Sequence, residues 1–112
     1  MLVAGLHLPD GDDIMRRKIE ADGGLFDRRI IEAALGEVRD WRCAVDAGAH
    51  IGTWTRQLAG RFASVVAFEP APGMFDLLVR NVEGLPNVRS MPIALGQVIG
   101  RVGMSYETVA HN

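Results

Sequence analysis

Two carboxylates and a pair of glycines are the residues of this sequence best suited to chemistry. In Asp46-Ala47-Gly48-Ala49-His50-Ile51-Gly52 an aspartate opens a turn with glycines at 48 and 52, and Glu69 follows 21 residues after Gly48, in Phe68-Glu69-Pro70. Glycine lets a backbone approach a ligand closely, and a helix starting after such a turn aims free N–H groups at it. An ionised glutamate at 69 can accept from both hydroxyls of a ribose diol. The turn departs from the dinucleotide pattern G-x-G-x-x-G, because position 50 is histidine.

Asp46 separates the ligand classes that remain. A carboxylate beside the turn repels a pyrophosphate and favours a ligand bearing an ammonium and a sulfonium. S-adenosylmethionine (SAM) is such a ligand and has no phosphate, and its own carboxylate can use the helix N-terminus. A nicotinamide dinucleotide is disfavoured by Asp46 and by the missing middle glycine.

These residues need elements to hold them. Asp27 is read as an N-cap, with Ile31, Ala34, Leu35 and Val38 forming one face of a helix. Cys43-Ala44-Val45 is short and wholly apolar, which predicts a strand buried on both faces. Thr53 to Phe62 returns to helical spacing through Trp54, Leu58 and Phe62, with Trp54 expected in the core. Val65 to Phe68 is a second buried strand. Pro72 suits a helix first turn, and Met74, Leu77, Leu78 and Val82 give that helix its stripe. A third strand is expected over about 88 to 95, then a loop, and a further C-terminal strand over Arg101 to Glu107. Strand, helix, strand, helix, strand predicts an α/β fold, the right-handed βαβαβ half of a Rossmann-like sheet. Ligands of such sheets bind beyond the carboxyl ends of the strands, where Asp46 and Glu69 fall.

Residues 1 to 26 form the least patterned stretch and are read as an irregular N-terminal segment ahead of a domain over 27–112. Asp10-Gly11 and Asp22-Gly23-Gly24 are turns, and Ile14 to Ile19 fits a short strand or a helical turn equally.

The composition narrows the classes. With 112 residues, 48% hydrophobic and 23% charged, the chain is globular rather than disordered. Twelve Lys+Arg against fourteen Asp+Glu give a net charge of −2, which carries no electrostatic footprint for nucleic acid or an anionic membrane. No apolar run spans a bilayer and the start lacks a signal-peptide pattern, so a cytoplasmic protein is expected. A single cysteine, Cys43, excludes an internal disulfide and a thiolate zinc cluster, and no metal site is expected. Cys43 is assigned to core packing.

Val45 to Thr55 resembles the glycine motif of class I SAM-dependent methyltransferases, and within them the FkbM-like O-methyltransferases. Phe68-Glu69-Pro70 is similar to that family's second motif, Leu78-Val79-Arg80-Asn81 to its L-x-x-N segment and Ala94-Leu95-Gly96 to its A-L-G. Order and spacing agree from about 42 to 100. The resemblance implies a SAM pocket whose methionine end is shaped by Asp46, Gly48, Ala49 and Gly52. By the same resemblance Glu69 would hold the ribose, and Ala94 and Leu95 would flank the adenine; His50, a turn histidine next to a helix start, is read as a cap or a wall of the pocket rather than a base. It implies methyl transfer to a hydroxyl of a small molecule or sugar, with a non-catalytic SAM- or nucleotide-binding fragment as the alternative.

The family's later strand ending in D-x-E-G has no counterpart before Asn112, and Asn81-Val82-Glu83-Gly84 is read as a helix end that imitates it. The sheet is therefore expected to be truncated, with the outer edge of Cys43–Val45 covered by residues 1 to 26, by the Arg101 to Glu107 strand, or by a second copy in a homodimer. The chain alone is expected to be catalytically inert, and dimeric or aggregation-prone.

Overall fold

The computed structural model describes residues 1–23 and 27–104. The elements run β1 (Leu2–Val3), β2 (Leu6–His7), α1 (Asp13–Ala21), α2 (Arg28–Leu35), β3 (Cys43–Ala47), α3 (Thr53–Ala59), β4 (Ser64–Phe68), α4 (Pro72–Asn81) and β5 (Val88–Met91). β3, β4 and β5 form a parallel sheet in that order, with Val45 opposite Val66 and Val66 opposite Arg89. This is the expected βαβαβ unit. Pro72 takes a first-turn position in α4, and Asn81 to Gly84 lies at that helix's end.

Because the strand order follows the chain, both right-handed crossovers turn the same way and place α3 and α4 on one face. Ala44, Val65, Ala67 and Val88 point to that face and join its apolar clusters. Ile31 and Leu35 of α2 pack there with Trp54, Leu58 and Phe62, while Leu78 and Val82 of α4 pack around Ala67. The opposite face, with Cys43, Val45, Ala47, Val66 and Phe68, contributes to no apolar cluster among the described residues.

That one-sidedness corrects the reading of Cys43-Ala44-Val45 as doubly buried. Cys43 is exposed and Val45 is 60% exposed. An apolar tripeptide marks a strand but not its place in a sheet; β3 is an edge strand with helices on one side only. Nothing among the described residues pairs with its outer edge.

The N-terminal stretch is also more regular than expected. Ala4 and Gly5 both take positive φ (50° and 80°), the conformation of a two-residue type I′ hairpin turn, and join β1 to β2. Alanine rarely occupies that position, so the turn is invisible to the usual Asn-Gly signal. Asp12 caps α1, its Oδ1 accepting from the Met15 amide at 3.0 Å, which settles Ile14 to Ile19 as helix. Leu6, Leu8 and Ile19 bury against Ile51 of the glycine turn, so this stretch is part of the core around the site.

One boundary falls as expected and two differ. Asp27 stands at the start of α2 with φ 55° and no capping bond from its side chain. β5 stops at Met91, and residues 92–104 form no strand; residues 105–107 of the expected C-terminal strand lie outside the described residues. α3 ends at Ala59, yet Phe62 still buries in the expected cluster.

Asn81, 5% exposed, ties the hairpin to the turn. Its Oδ1 accepts from the His7 amide at 2.6 Å, and its Nδ2 donates to the carbonyls of His7 (2.9 Å) and Ile51 (2.7 Å). Asn81→Ala leaves these backbone groups without their partner, and a loss of ~2–4 kcal/mol is expected by urea denaturation.

Candidate functional site

The end of β4 shapes the glycine turn. The Phe68 carbonyl accepts from the amides of both Gly48 and Ala49, each at 2.9 Å, using both its lone pairs. Glu69, 7% exposed, accepts from the His50 amide at 2.8 Å through Oε1 and from the Ala71 amide at 2.9 Å through Oε2. The carboxylate thus clamps two loops together while keeping unused lone pairs for a further donor. His50 holds φ 54°, a conformation in which histidine is several-fold enriched among non-glycine residues, and its N–H points to Glu69.

Asp46 ends the buried-side row of β3. Its Oδ2 accepts from the hydroxyl of Thr55, a fully buried residue in the first turn of α3, at 2.6 Å. Oδ1 accepts no bond from the described residues, and no buried side-chain oxygen among them is left unsatisfied, so Oδ1 is open to solvent. Burial pushes the Asp46 carboxyl above the usual carboxylate range; the Thr55 hydroxyl opposes this and the nearby Glu69 charge adds to it.

A cavity of about 680 Å³ opens beside the turn, lined by Asp46, Gly48, Ala49, His50 and Thr53, with Met15, Val45, Trp54 and Leu58 among its apolar walls. Trp54 packs into the core as expected and also borders the cavity. Gly52 lies beneath the turn at φ 92°, where an added Cβ would stand 2.8 Å from Leu78 Cδ1; at Gly48 (φ 73°) an added Cβ would meet nothing within 4 Å. The two glycines therefore serve different ends: Gly52 admits α4, and Gly48 keeps open space.

The structure gathers Asp46, Gly48, Ala49 and His50 on the cavity and joins Glu69 to them through His50. Ala94 and Leu95 lie past β5 in an exposed segment and do not line the cavity. Sequence reasoning missed Thr55 and Asn81. The signal for both was a polar residue on the apolar face of a predicted helix, where burial demands a partner.

No protein-family model matches the sequence. Methyltransferase sdnD of Sordaria araneosa is 34% identical over 67 residues, 55% of this chain and 26% of that protein. The solved structure of the 23S rRNA methyltransferase ErmE matches at TM-score 0.51 and 31% identity, covering 61% of this chain and 29% of that one. A phosphoethanolamine N-methyltransferase of Haemonchus contortus, solved with phosphoethanolamine and S-adenosylhomocysteine, matches at TM-score 0.57 and 23% identity over 74% of this chain and 18% of that one. The fold is that of the class I methyltransferases. This chain spans about a quarter of the length of sdnD, and the methyltransferase fold in it comprises the three described parallel strands and their helices. No described helix is long and apolar enough to cross a membrane, and the described residues contain no metal-ligand cluster.

Two outcomes follow from this geometry. Gly52→Ala combines positive φ with a contact to Leu78 and is expected to cost ~2–3 kcal/mol, whereas Gly48→Ala carries the backbone cost alone, ~1 kcal/mol, both read from denaturant melts. Asp46→Asn keeps an acceptor for Thr55 and removes a buried charge. Because the folded Asp46 binds its proton more tightly than the unfolded one, wild type loses stability as pH rises through the folded value. The variant's advantage in Tm is therefore expected to be near zero at about pH 3, below the ordinary 3.8, and fully developed by about pH 7.

Proposed function

We propose that this chain is the cofactor-binding part of a SAM-dependent methyltransferase, of the FkbM-like O-methyltransferase type. The observation that carries the reading is the Asp46 carboxylate, open at Oδ1 beside a glycine turn clamped by buried Glu69, in a methyltransferase fold. The residues present fit SAM. Gly48 leaves room where a side chain would intrude, Asp46 offers an anion to the ammonium and sulfonium, and Glu69 retains acceptor capacity for ribose hydroxyls. Ala49, His50 and Gly52 shape the turn around it. Ala94 and Leu95 are the proposed adenine neighbours, from an exposed segment. The bound cofactor supplies an activated methyl group; the chain's own residues bind and orient it.

The acceptor is proposed to be a hydroxyl of a small molecule or a sugar. The net charge of −2 describes this chain alone, and ErmE, an rRNA methyltransferase by name, has the same fold, so the charge argument against a nucleic-acid acceptor loses its force. The cavity runs along the bare edge of β3, with Val45 in its wall, and is open where a catalytic site would have to be closed. On that ground the chain by itself is a binder without turnover; its proposed location is the cytoplasm.

Isothermal titration is expected to give binding to SAM or S-adenosylhomocysteine and none to NAD; tighter binding to NAD refutes the reading. Glu69→Ala is expected to weaken SAM binding by ~2–4 kcal/mol, about 30- to 1,000-fold, and to lower Tm through loss of the clamp, while Glu83→Ala, at an exposed helix end, leaves both unchanged. The bare edge of β3 and its exposed apolar face are proposed to drive self-association into a homodimer. Light scattering is expected to show a mass above that of one chain, and Val45→Lys to reduce it; a wild-type monomer at all concentrations rules this out.

A further inference from the structure

Thr55 is a polar residue with no solvent exposure at all, and its hydroxyl spends its one proton on Asp46 Oδ2 at 2.6 Å. A helical threonine ordinarily has another outlet, the carbonyl four residues back. Here that carbonyl belongs to Ile51 and already accepts from Asn81 Nδ2 at 2.7 Å. The hydroxyl instead reaches across from α3 to the end of β3. Its effect on Asp46 is twofold: it occupies one carboxylate oxygen from the protein side, and it leaves the other without a partner among the described residues, on a cavity-lining residue.

We propose that Thr55 is the positioning residue of the site: its hydroxyl fixes the Asp46 carboxylate so that Oδ1 is presented, ionised, to a cationic group of the ligand. The identity of that ligand rests on the SAM reading above; the Thr55–Asp46 link does not. The groups that bear on Asp46 are few. Glu69, across the turn, opposes its ionisation by like charge, and burial opposes it more; Thr55 is the group that favours the charged form. Of the described cavity-lining residues, only Asp46 and His50 titrate. A methyl group in place of the hydroxyl keeps the shape and removes the one interaction that holds the charge.

The experiment compares wild type with Thr55→Val, which is isosteric, and Thr55→Ser, which retains the hydroxyl. Two readouts are taken: the titration of the Asp46 carboxyl carbon by NMR in the ligand-free chain, whose signal is distinct from those of Glu69 and His50, and the Kd for SAM by calorimetry across the acid-to-neutral range. Thr55→Val is expected to move the Asp46 midpoint upward and to weaken SAM binding roughly tenfold, most at the acid end, with Thr55→Ser close to wild type. In an Asp46→Asn background, Thr55→Val is expected to add little further loss of affinity. If Thr55→Val does not fold, Thr55→Ala is read in its place. An Asp46 midpoint unmoved by loss of the hydroxyl, or a moved midpoint with unchanged Kd, overturns the positioning role. A wild-type chain that binds no SAM while its Asp46 midpoint still responds to Thr55→Val overturns the cofactor reading and not the link.

Discussion

The site depends on one buried carboxylate. Glu69 accepts from the amides of His50 and Ala71, and the carbonyl just before it, from Phe68, accepts from Gly48 and Ala49. Four backbone N–H groups of two loops thereby find partners at the carboxyl end of β4. A turn with positive φ at Gly48, His50 and Gly52 has no regular structure of its own to satisfy its amides. Without β4 to receive them, it would pay the full cost of unpaired polar groups. Charge-assisted bonds to an ionised acceptor are among the strong ones, which suits a clamp made of only two of them.

Asp46 shows the opposite economy. It is partly buried near another carboxylate, and among the described residues it accepts a single hydrogen bond, from Thr55. A carboxyl whose charged form is disfavoured by burial adds nothing to folding at neutral pH, and one that lines a cavity is a candidate for binding there. The two acids of the site thus divide the work. Glu69 has its charge met by the backbone and sets the shape of the turn; Asp46, bonded through Oδ2 to Thr55, lines the cavity.

The rest of the molecule supports these two from one side. α2, α3 and α4 pack on a single face of the sheet, and the β1–β2 hairpin and α1 close over the turn through Ile51 and Asn81. Gly52 lets Leu78 approach the turn, so α4 is seated against the same backbone that Glu69 shapes from the other end. Arg56 of α3 adds a bond to the Gly5 carbonyl at 2.7 Å, tying the hairpin tip to the helix that carries Thr55. On the other face of the sheet Val45 is exposed and Val66 and Phe68 are half-buried, and the outer edge of β3 has no strand partner among the described residues.

The order of the parallel strands and the residues of the turn were legible in the sequence, because each rests on local facts. Apolar runs of strand length, helical stripes in Leu78 and Val82, Pro72 at a helix start, and glycines at 48 and 52 all act within a few residues of themselves. The hairpin was not legible, since Ala4-Gly5 takes a turn that alanine seldom adopts and is held there by contacts to Asn81 and Arg56 far along the chain. Burial of Cys43–Val45 was misjudged because hydrophobicity reports what a strand would prefer, while its neighbours decide what it gets. The sequence by itself determined which carboxylates stand at the glycine turn and at the end of the next strand: Asp46 and Glu69, set by their spacing from the glycines. Only the tertiary structure decided how each is held, because whether a carboxylate clamps two loops or keeps an oxygen free depends on which donors reach it. Those donors, the amides of His50 and Ala71 for one and the hydroxyl of Thr55 for the other, are brought there by the packing of α3 and the turn against β4.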